Sequence, residues 1–395
     1  MNISFITPEF VTEKNFDGGL SNYVYKMSLA FIERGHNVFV IVSSNENNTL
    51  AHDGISIIRV DIQSRFLSLF QKLLRGRFYA PLSWLMQSWK LNKRLRALDK
   101  NTKIDIAQFS SYTATGFFRP KNIPSVVRVS SYQPALDKVN ELKIGLTHYI
   151  QYYLEGSAFK KSDAIFGPSK VVNEIVENKT KQRVELIESP LSSNIASDPD
   201  VFKSILAGKK YLLFFGSLGI LKGVLEITDI IYELLQQYPD LYFVFVGKDF
   251  GYKGMSIMNA VWEYAGKNRG RCLYLGSMKQ MFLQPIVKNA YAVILPSRID
   301  NFPNTCLESM AQGKIVVGTR GASFEQLINH GDNGFLCEIK NPESLLSGVI
   351  EALRLDLEQK KQIERSARET VKRLRPAKIA KELEKFYIKV IQGEK

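Results

Sequence analysis

Leu295-Pro-Ser-Arg-Ile-Asp-Asn-Phe-Pro-Asn-Thr-Cys-Leu-Glu-Ser-Met-Ala-Gln-Gly-Lys-Ile-Val-Val-Gly318 is the stretch on which the reading of this chain turns. Ala292 to Leu295 is an apolar, β-branched run and reads as a buried strand. Pro296, Ser297, Asn301 and Pro303 mark a turn-rich loop, a short helix follows, and Ile315 to Val317 reads as the next strand. Two carboxylates lie in this unit with seven residues between them: Asp300 in the loop and Glu308 inside the helix. Open α/β sheets bind ligands where a strand's carboxyl end passes into a helix. Backbone N–H groups at such a helix start, here Asn304 and Thr305, suit a phosphate. Ionised carboxylates accept hydrogen bonds from hydroxyl groups.

A second motif stands upstream. Gly216-Ser-Leu-Gly-Ile-Leu-Lys222-Gly223 follows the apolar run Tyr211 to Phe215 and opens a helix predicted over 223–237. It brings an ammonium and helix N–H groups around one anion. The spacing is not that of an ATPase phosphate loop, since no Ser or Thr follows the lysine. A third turn, Asp17-Gly18-Gly19, lies between the strand Asn2 to Thr7 and a helix over about 21–34. Glycine there lets a backbone approach a ligand closely.

Between these motifs the chain alternates strands and helices. Strands are predicted over 38–42, 104–108, 125–129, 165–166 and 184–187, then over 211–215, 241–246, 273–275, 292–295 and 315–317. Two runs of this alternation imply two doubly wound domains facing a cleft. The boundaries read as a first domain over 1–190, a polar linker over 191–210, a second domain over 211–375 and a closing helix over 376–395. Asp198-Pro-Asp200 has a metal-like spacing but no apolar strand ahead of it, and reads as a turn.

Taken together, these residues resemble the retaining nucleotide-sugar glycosyltransferases of the GT-B fold, the large group called family four. Pro296-Ser297, Asn301-Phe302-Pro303-Asn304 and Ala311-x-Gly313 fall where that family has them. The similarity runs from Gly18-Gly19 to Gly331-Asp-Asn-Gly334, is strongest over 291–325, and is weak over 57–121, where acceptor recognition varies. The resemblance implies transfer of a sugar from a nucleoside diphosphate to a hydroxyl. It implies that Asp300 faces the donor sugar and Glu308 holds the ribose. Gly18, Gly19, Gly216, Ser217, Lys222, Asn304 and Thr305 would complete the donor site, with Lys222 and Asp300 as its catalytic groups. It also implies that the closing helix packs back on the first domain.

Three positions depart from the family pattern. Asp300 stands where Glu is usual. Ser217 stands where the family commonly has Arg, so Arg298, Arg320 and Lys248 are the candidates for the missing cation. Ser130 and Ser131 occupy the place of a common His. A serine is no base at neutral pH but can hydrogen-bond an acceptor hydroxyl. Attack on the face of the departing phosphate needs no strong side-chain base, because the phosphate oxygen takes the proton.

Composition bounds the partners. With 395 residues, 45% hydrophobic, the chain has the make-up of a two-domain soluble protein. No run reaches the length needed to span a bilayer, and the N-terminus reads as a strand and not as a signal peptide. Cys272, Cys306 and Cys337 are scattered, as are His36, His52, His148 and His330, so neither a disulfide framework nor a metal site is expected. No cofactor is expected beyond the nucleotide-sugar co-substrate. The net charge of +14 is uneven: residues 59–103 carry eleven Lys/Arg against Asp61 and Asp99, and residues 360–395 carry twelve against five Glu. Phe66, Leu69, Phe70 and Leu73 share a helical face opposite Arg65, Lys72 and Arg75, with Trp84 and Trp89 following. Such a basic amphipathic segment suits an anionic membrane. The expected protein is thus cytoplasmic, peripheral on the inner membrane face, with a saccharide or lipid-linked saccharide acceptor in envelope or capsule polysaccharide synthesis. The rivals are a nucleotide-sugar epimerase, a noncatalytic scaffold of the same fold, and a nucleic-acid binder, for which no binding module is present.

Overall fold

Apolar β-branched runs form the strands of two separate sheets in a computed structural model, which describes residues 1–13, 18–63, 78–191 and 196–394. The basic face expected over Phe66 to Arg75 lies outside the described residues, as does Asp17. The chain divides into two units, one of residues 1–190 with 376–395 and one of residues 191–375.

In the first unit the strands are β1 (Asn2–Thr7), β2 (Asn37–Ser44), β3 (Asn48–His52), β4 (Ile55–Asp61), β5 (Ile106–Ser110), β6 (Ser125–Arg128), β7 (Ala164–Gly167) and β8 (Val184–Leu186). Their order is β3-β4-β2-β1-β5-β6-β7-β8. All pairings are parallel except that of β3 on β4. The β3–β4 hairpin was not anticipated, because β3 is polar and almost wholly exposed. Its turn, Asp53-Gly54, has positive φ at both residues, as a two-residue hairpin requires. The crossovers are α1 (Gly19–Glu33), α2 (Tyr79–Asn101), α3 (Gln133–Val139), α4 (Leu146–Lys161) and α5 (Lys170–Thr180). Gly35, at φ 82°, turns the chain out of α1 into β2.

The second unit has β9 (Lys210–Phe215), β10 (Leu241–Val246), β11 (Cys272–Tyr274), β12 (Ala292–Leu295), β13 (Ile315–Thr319) and β14 (Phe335–Cys337), all parallel, in the order β11-β10-β9-β12-β13-β14. Its helices are α6 (Asp200–Ile205), α7 (Val224–Gln237), α8 (Ile257–Ala265), α9 (Gln280–Asn289), α10 (Asn304–Ala311), α11 (Pro342–Arg354) and α12 (Leu357–Val371). Ile227, Ile231, Leu234, Phe243, Phe245, Ile294 and Val349 are among the fully buried side chains of its core. Each contributes roughly 1.5–3 kcal/mol by leaving water. The strand order reverses between β9 and β12, which puts this unit's ligand crevice at their carboxyl ends.

One boundary needs correction. Residues 191–210 are not simply a polar linker, because they contain α6 and belong to the second unit. Leu206 is buried, and the Asp198 N–H bonds to the carbonyl of Met281. Asp198 spends its own Oδ1 on the N–H of Asp200, which is a turn at the start of α6. The closing helix, α13 (Pro376–Gln392), belongs to the first unit. Tyr387 stacks on Phe31 at 5.7 Å between ring centroids and its hydroxyl bonds Gln108 Oε1, while Phe386 meets Phe166 edge-on. Beside them Arg128 is buried, its guanidinium 3.8 Å from the Tyr23 ring centroid and bonded to Ser189 Oγ at 2.8 Å.

Candidate functional site

The β9–β12 crevice holds most of the residues singled out from the sequence. After β9 the chain turns at Gly216 (φ 131°), makes a 3-10 turn over Ile220–Lys222, and enters α7 through Gly223 (φ 67°). A Cβ on Gly223 would stand 1.8 Å from the carbonyl oxygen of Pro296, so only glycine lets this turn pack on the end of β12. The N–H of Arg298 bonds the Leu221 carbonyl at 2.9 Å and locks the two loops together. That closure brings Lys222 Nζ to 2.5 Å from Asp300 Oδ2. Lys222 keeps 30% of its side-chain surface exposed and Asp300 11%, so the pair is reachable yet partly shielded. Ser323 Oγ donates to the Asp300 carbonyl at 2.8 Å and holds the loop from the other side.

The helix bearing Glu308 starts against the same turn. A Cβ on Gly216 would lie 3.7 Å from Thr305 Cγ2, so the first turn of α10 faces Gly216. No side chain caps that N-terminus. Asn304 is exposed, and Ser217, Thr305 and Glu308 are half-buried. Glu308 Oε2 accepts a 2.9 Å hydrogen bond from Gln280 Nε2, from the first residue of α9. Gln280 was not foreseen, since a lone Gln after a Lys carries no sequence signal. The result is an ammonium, two carboxylates and a helix N-terminus at one strand switch point. Such a set can hold a diphosphate and accept hydrogen bonds from sugar hydroxyls.

In the first unit Gly18 has φ 88° and ends where α1 begins at Gly19. Glu9 Oε1 accepts the Ser21 N–H at 3.1 Å, so a carboxylate of the chain itself already occupies one donor of this helix start. Ser130 is half-buried and hydrogen-bonded to its neighbours. Its Oγ lies 3.2 Å from Ser111 Oγ and accepts the Tyr112 N–H at 3.2 Å. Ser111 Oγ in turn donates to the Ser131 carbonyl at 2.6 Å and accepts the N–H groups of Ser130 and Ser131. The Ser131 hydroxyl is buried without a partner among the described residues. Next to this knot, Thr113 (φ 62°) and Ala114 (φ 50°) hold left-handed backbone, which costs a non-glycine residue about 1–2 kcal/mol each. Neither residue type signals such a turn in sequence.

Two buried acids follow the serines. Glu155 Oε2 accepts the Gln133 N–H at 3.1 Å, while Asp137 accepts from Gln133 Nε2 at 2.6 Å and from the Tyr152 hydroxyl at 2.8 Å. Burial, with a smaller push from Asp137, raises the Glu155 carboxyl to about 8. All three cysteines are buried and free, and burial pushes their thiols up, away from reactivity. Among the described residues no His, Cys, Asp and Glu cluster is placed to hold a metal, and no helix is long and apolar enough to cross a membrane.

Comparison with known proteins gives this geometry a family. Residues 17–191 match the Glycosyltransferase Family 4 domain and residues 198–370 match the domain called Glycosyl transferases group 1. N-acetyl-alpha-D-glucosaminyl L-malate synthase of Bacillus anthracis is 32% identical over 126 residues, a stretch that spans 32% of each chain. In structure, sucrose-phosphate synthase from Thermosynechococcus elongatus matches with a TM-score of 0.77 at 15% identity, over 100% of both chains. The catalytic domain of starch synthase IV from Arabidopsis thaliana, bound to ADP and acarbose, matches with a TM-score of 0.72 at 14% identity, over 99% of both chains. The fold is therefore GT-B, two Rossmann-like α/β domains with parallel sheets, and the chain belongs to the glycosyltransferases, with a family 4 domain followed by a group 1 domain.

Proposed function

We propose that this protein is a retaining glycosyltransferase that moves a hexosyl group from a nucleoside diphosphate sugar to a saccharide hydroxyl without a metal ion. The observation that carries the reading is the Lys222–Asp300 contact beside the Gly216 turn and the start of α10. In the reaction the bond from the anomeric carbon to the diphosphate oxygen breaks, and a bond to the acceptor oxygen forms on the same face. The acceptor's proton passes to the departing phosphate oxygen. Negative charge grows on the diphosphate, and the Lys222 ammonium and the N–H groups of Asn304 and Thr305 stabilise it. Asp300 orients Lys222 and accepts from the donor sugar. Glu308, steadied by Gln280, accepts from the ribose.

The acceptor in this reading is a saccharide on an anionic lipid carrier, in envelope or capsule polysaccharide synthesis on the inner membrane face. What supports it is a surface of the first unit. Leu142, Ile144, Leu146, Tyr149 and Tyr153 are exposed on α4 and the loop before it, with Lys143 in that loop and Lys138 exposed near the end of α3. Residues 1–190 and 376–395 carry 30 Lys/Arg against 20 Asp/Glu, most of the chain's positive excess. By contrast, part of the basic segment 59–103 is engaged internally. Arg59 pairs with Glu13 at 2.8 Å, Lys90 donates to the carbonyls of Asp61 and Gln63, and Arg96 to that of Phe118.

A thermal-shift screen over nucleotide sugars, followed by turnover with lipid-linked acceptors in excess chelator, tests the reading. A donor present at a hundred times its Kd adds about 2.7 kcal/mol to stability. Transfer to acceptor in chelator is the expected result. An epimerised donor with no transfer would identify an epimerase, and no donor binding at all would leave a scaffold.

A further inference from the structure

Lys222 is the cation the crevice visibly offers, and it is already shared with Asp300. A departing nucleoside diphosphate carries more charge than one shared ammonium neutralises. Ser217, directly after Gly216, contributes only a hydroxyl. Of the basic side chains near the motif, Arg298 is taken: its Nε donates to the buried Glu226 carboxylate at 2.6 Å. Arg320, just after β13, pairs with Glu338 at 3.2 Å.

Lys248 stands differently. The β9–β10 ladder ends with Phe215 opposite Val246, and pairing resumes with Leu218 opposite Asp249. The offset is 31 residues at both places, so the register is the same on either side of the turn and brings Ser217 level with Lys248. The backbone confirms the close approach. The Gly216 N–H bonds the Val246 carbonyl at 2.9 Å, the Leu218 N–H bonds the Lys248 carbonyl at 2.8 Å, and the Phe250 N–H bonds the Leu218 carbonyl at 3.0 Å. A Cβ on Gly247 would stand 1.7 Å from the Gly216 oxygen. Neighbouring strands lie about 4.8 Å apart, so the two backbones run side by side where Ser217 and Lys248 stand.

The Lys248 side chain is exposed and has no carboxylate partner among the described residues. Its Nζ rests 4.8 Å from the Phe250 ring centroid, a contact that holds the chain near the turn without neutralising it. The adjacent Asp249 does not compete, because it accepts from the Gly251, Ile257 and Met258 N–H groups and from Ser256 Oγ.

We propose that Lys248 is the second cation for the donor diphosphate, supplied from the neighbouring strand at the place where Ser217 leaves none. This inference rests on the donor reading above and names the residue that completes it.

The test is calorimetric binding of UDP, GDP, ADP and inorganic pyrophosphate to the full chain. Lys248→Ala should weaken the best nucleoside diphosphate, and pyrophosphate, by about 10- to 100-fold, as expected for a lost charged hydrogen bond. Lys248→Arg should stay within a few-fold of wild type, and Arg320→Gln should change little. Adding Ser217→Arg to Lys248→Ala should recover most of the loss, which a merely misfolded Lys248→Ala would not allow. Wild type that binds tightly, with Lys248→Ala equally tight, would overturn the assignment and leave the donor reading intact. Wild type that binds none of the four probes would overturn both.

Discussion

Glu155→Gln should flatten the pH dependence of stability of the first unit. Glu155 is 1% exposed and its nearest acidic neighbour is Asp137. Burial raises its carboxyl from an ordinary 4.5 to about 8, against a smaller downward pull from the Gln133 N–H. The folded state therefore keeps a proton that the unfolded chain releases above about 4.5. Stability from this group is fully present below that point and declines as pH rises, until it levels off above about 8. The whole decline corresponds to about 5 kcal/mol, at about 1.4 kcal/mol per pH unit. Between roughly pH 5.5 and 7.5 the wild type should lose on the order of 2–3 kcal/mol relative to the variant. Glutamine keeps an acceptor for the Gln133 N–H and cannot ionise, so the slope, not the offset, reports the carboxyl. Urea unfolding followed by tryptophan fluorescence measures it, in a Trp262→Phe background where Trp84 and Trp89 report on the first unit. Parallel stability curves for the two proteins across that range would refute the reasoning, and would mean that Glu155 ionises as it does in water.

Three further outcomes are expected, two at the site and one at the exposed apolar surface of the first unit. Glu308→Ala should weaken nucleoside diphosphate binding by about 10-fold or more, while Asp300→Ala spares that affinity and lowers kcat; calorimetry showing the reverse would exchange their roles. Gly223→Ala should destabilise the second unit by several kcal/mol, about 2–4, because a methyl group would collide with the Pro296 carbonyl, and an unchanged Tm would contradict that packing. Wild type should co-sediment with anionic vesicles at low salt and release as salt screens the attraction beyond about 10 Å; Leu142→Ser with Ile144→Ser and Leu146→Ser should reduce binding, and equal pelleting of both would remove this surface from the acceptor reading.

The features legible from residue order alone are local. Strands such as Asn2–Thr7, Leu241–Val246 and Ala292–Leu295 match their predicted limits, because a buried parallel strand is a short apolar run bounded by glycine or proline. The helix starts near Asn304 and Val224 were legible to within a residue, since turn residues precede apolar periodicity. The polar strand β3 escaped because its stability comes from pairing with β4 and not from burial, although Asp53-Gly54 announced the turn. The partnerships between distant residues arise only in the folded chain. Lys222 meets Asp300 across 78 positions because Gly223 permits contact with the Pro296 carbonyl. Ser130, placed after β6, is tied to Ser111 and Tyr112 from a different stretch of the chain. Glu155 is an ordinary acid in sequence and a buried one in the fold, because α4 turns it inward toward the Gln133 N–H. Lys248 comes level with Ser217 only through the register of β9 on β10. Propensity and periodicity act over a few residues, and so they are written in the sequence. Register, burial and charge pairing depend on which segments meet, and that is settled when the sheets assemble.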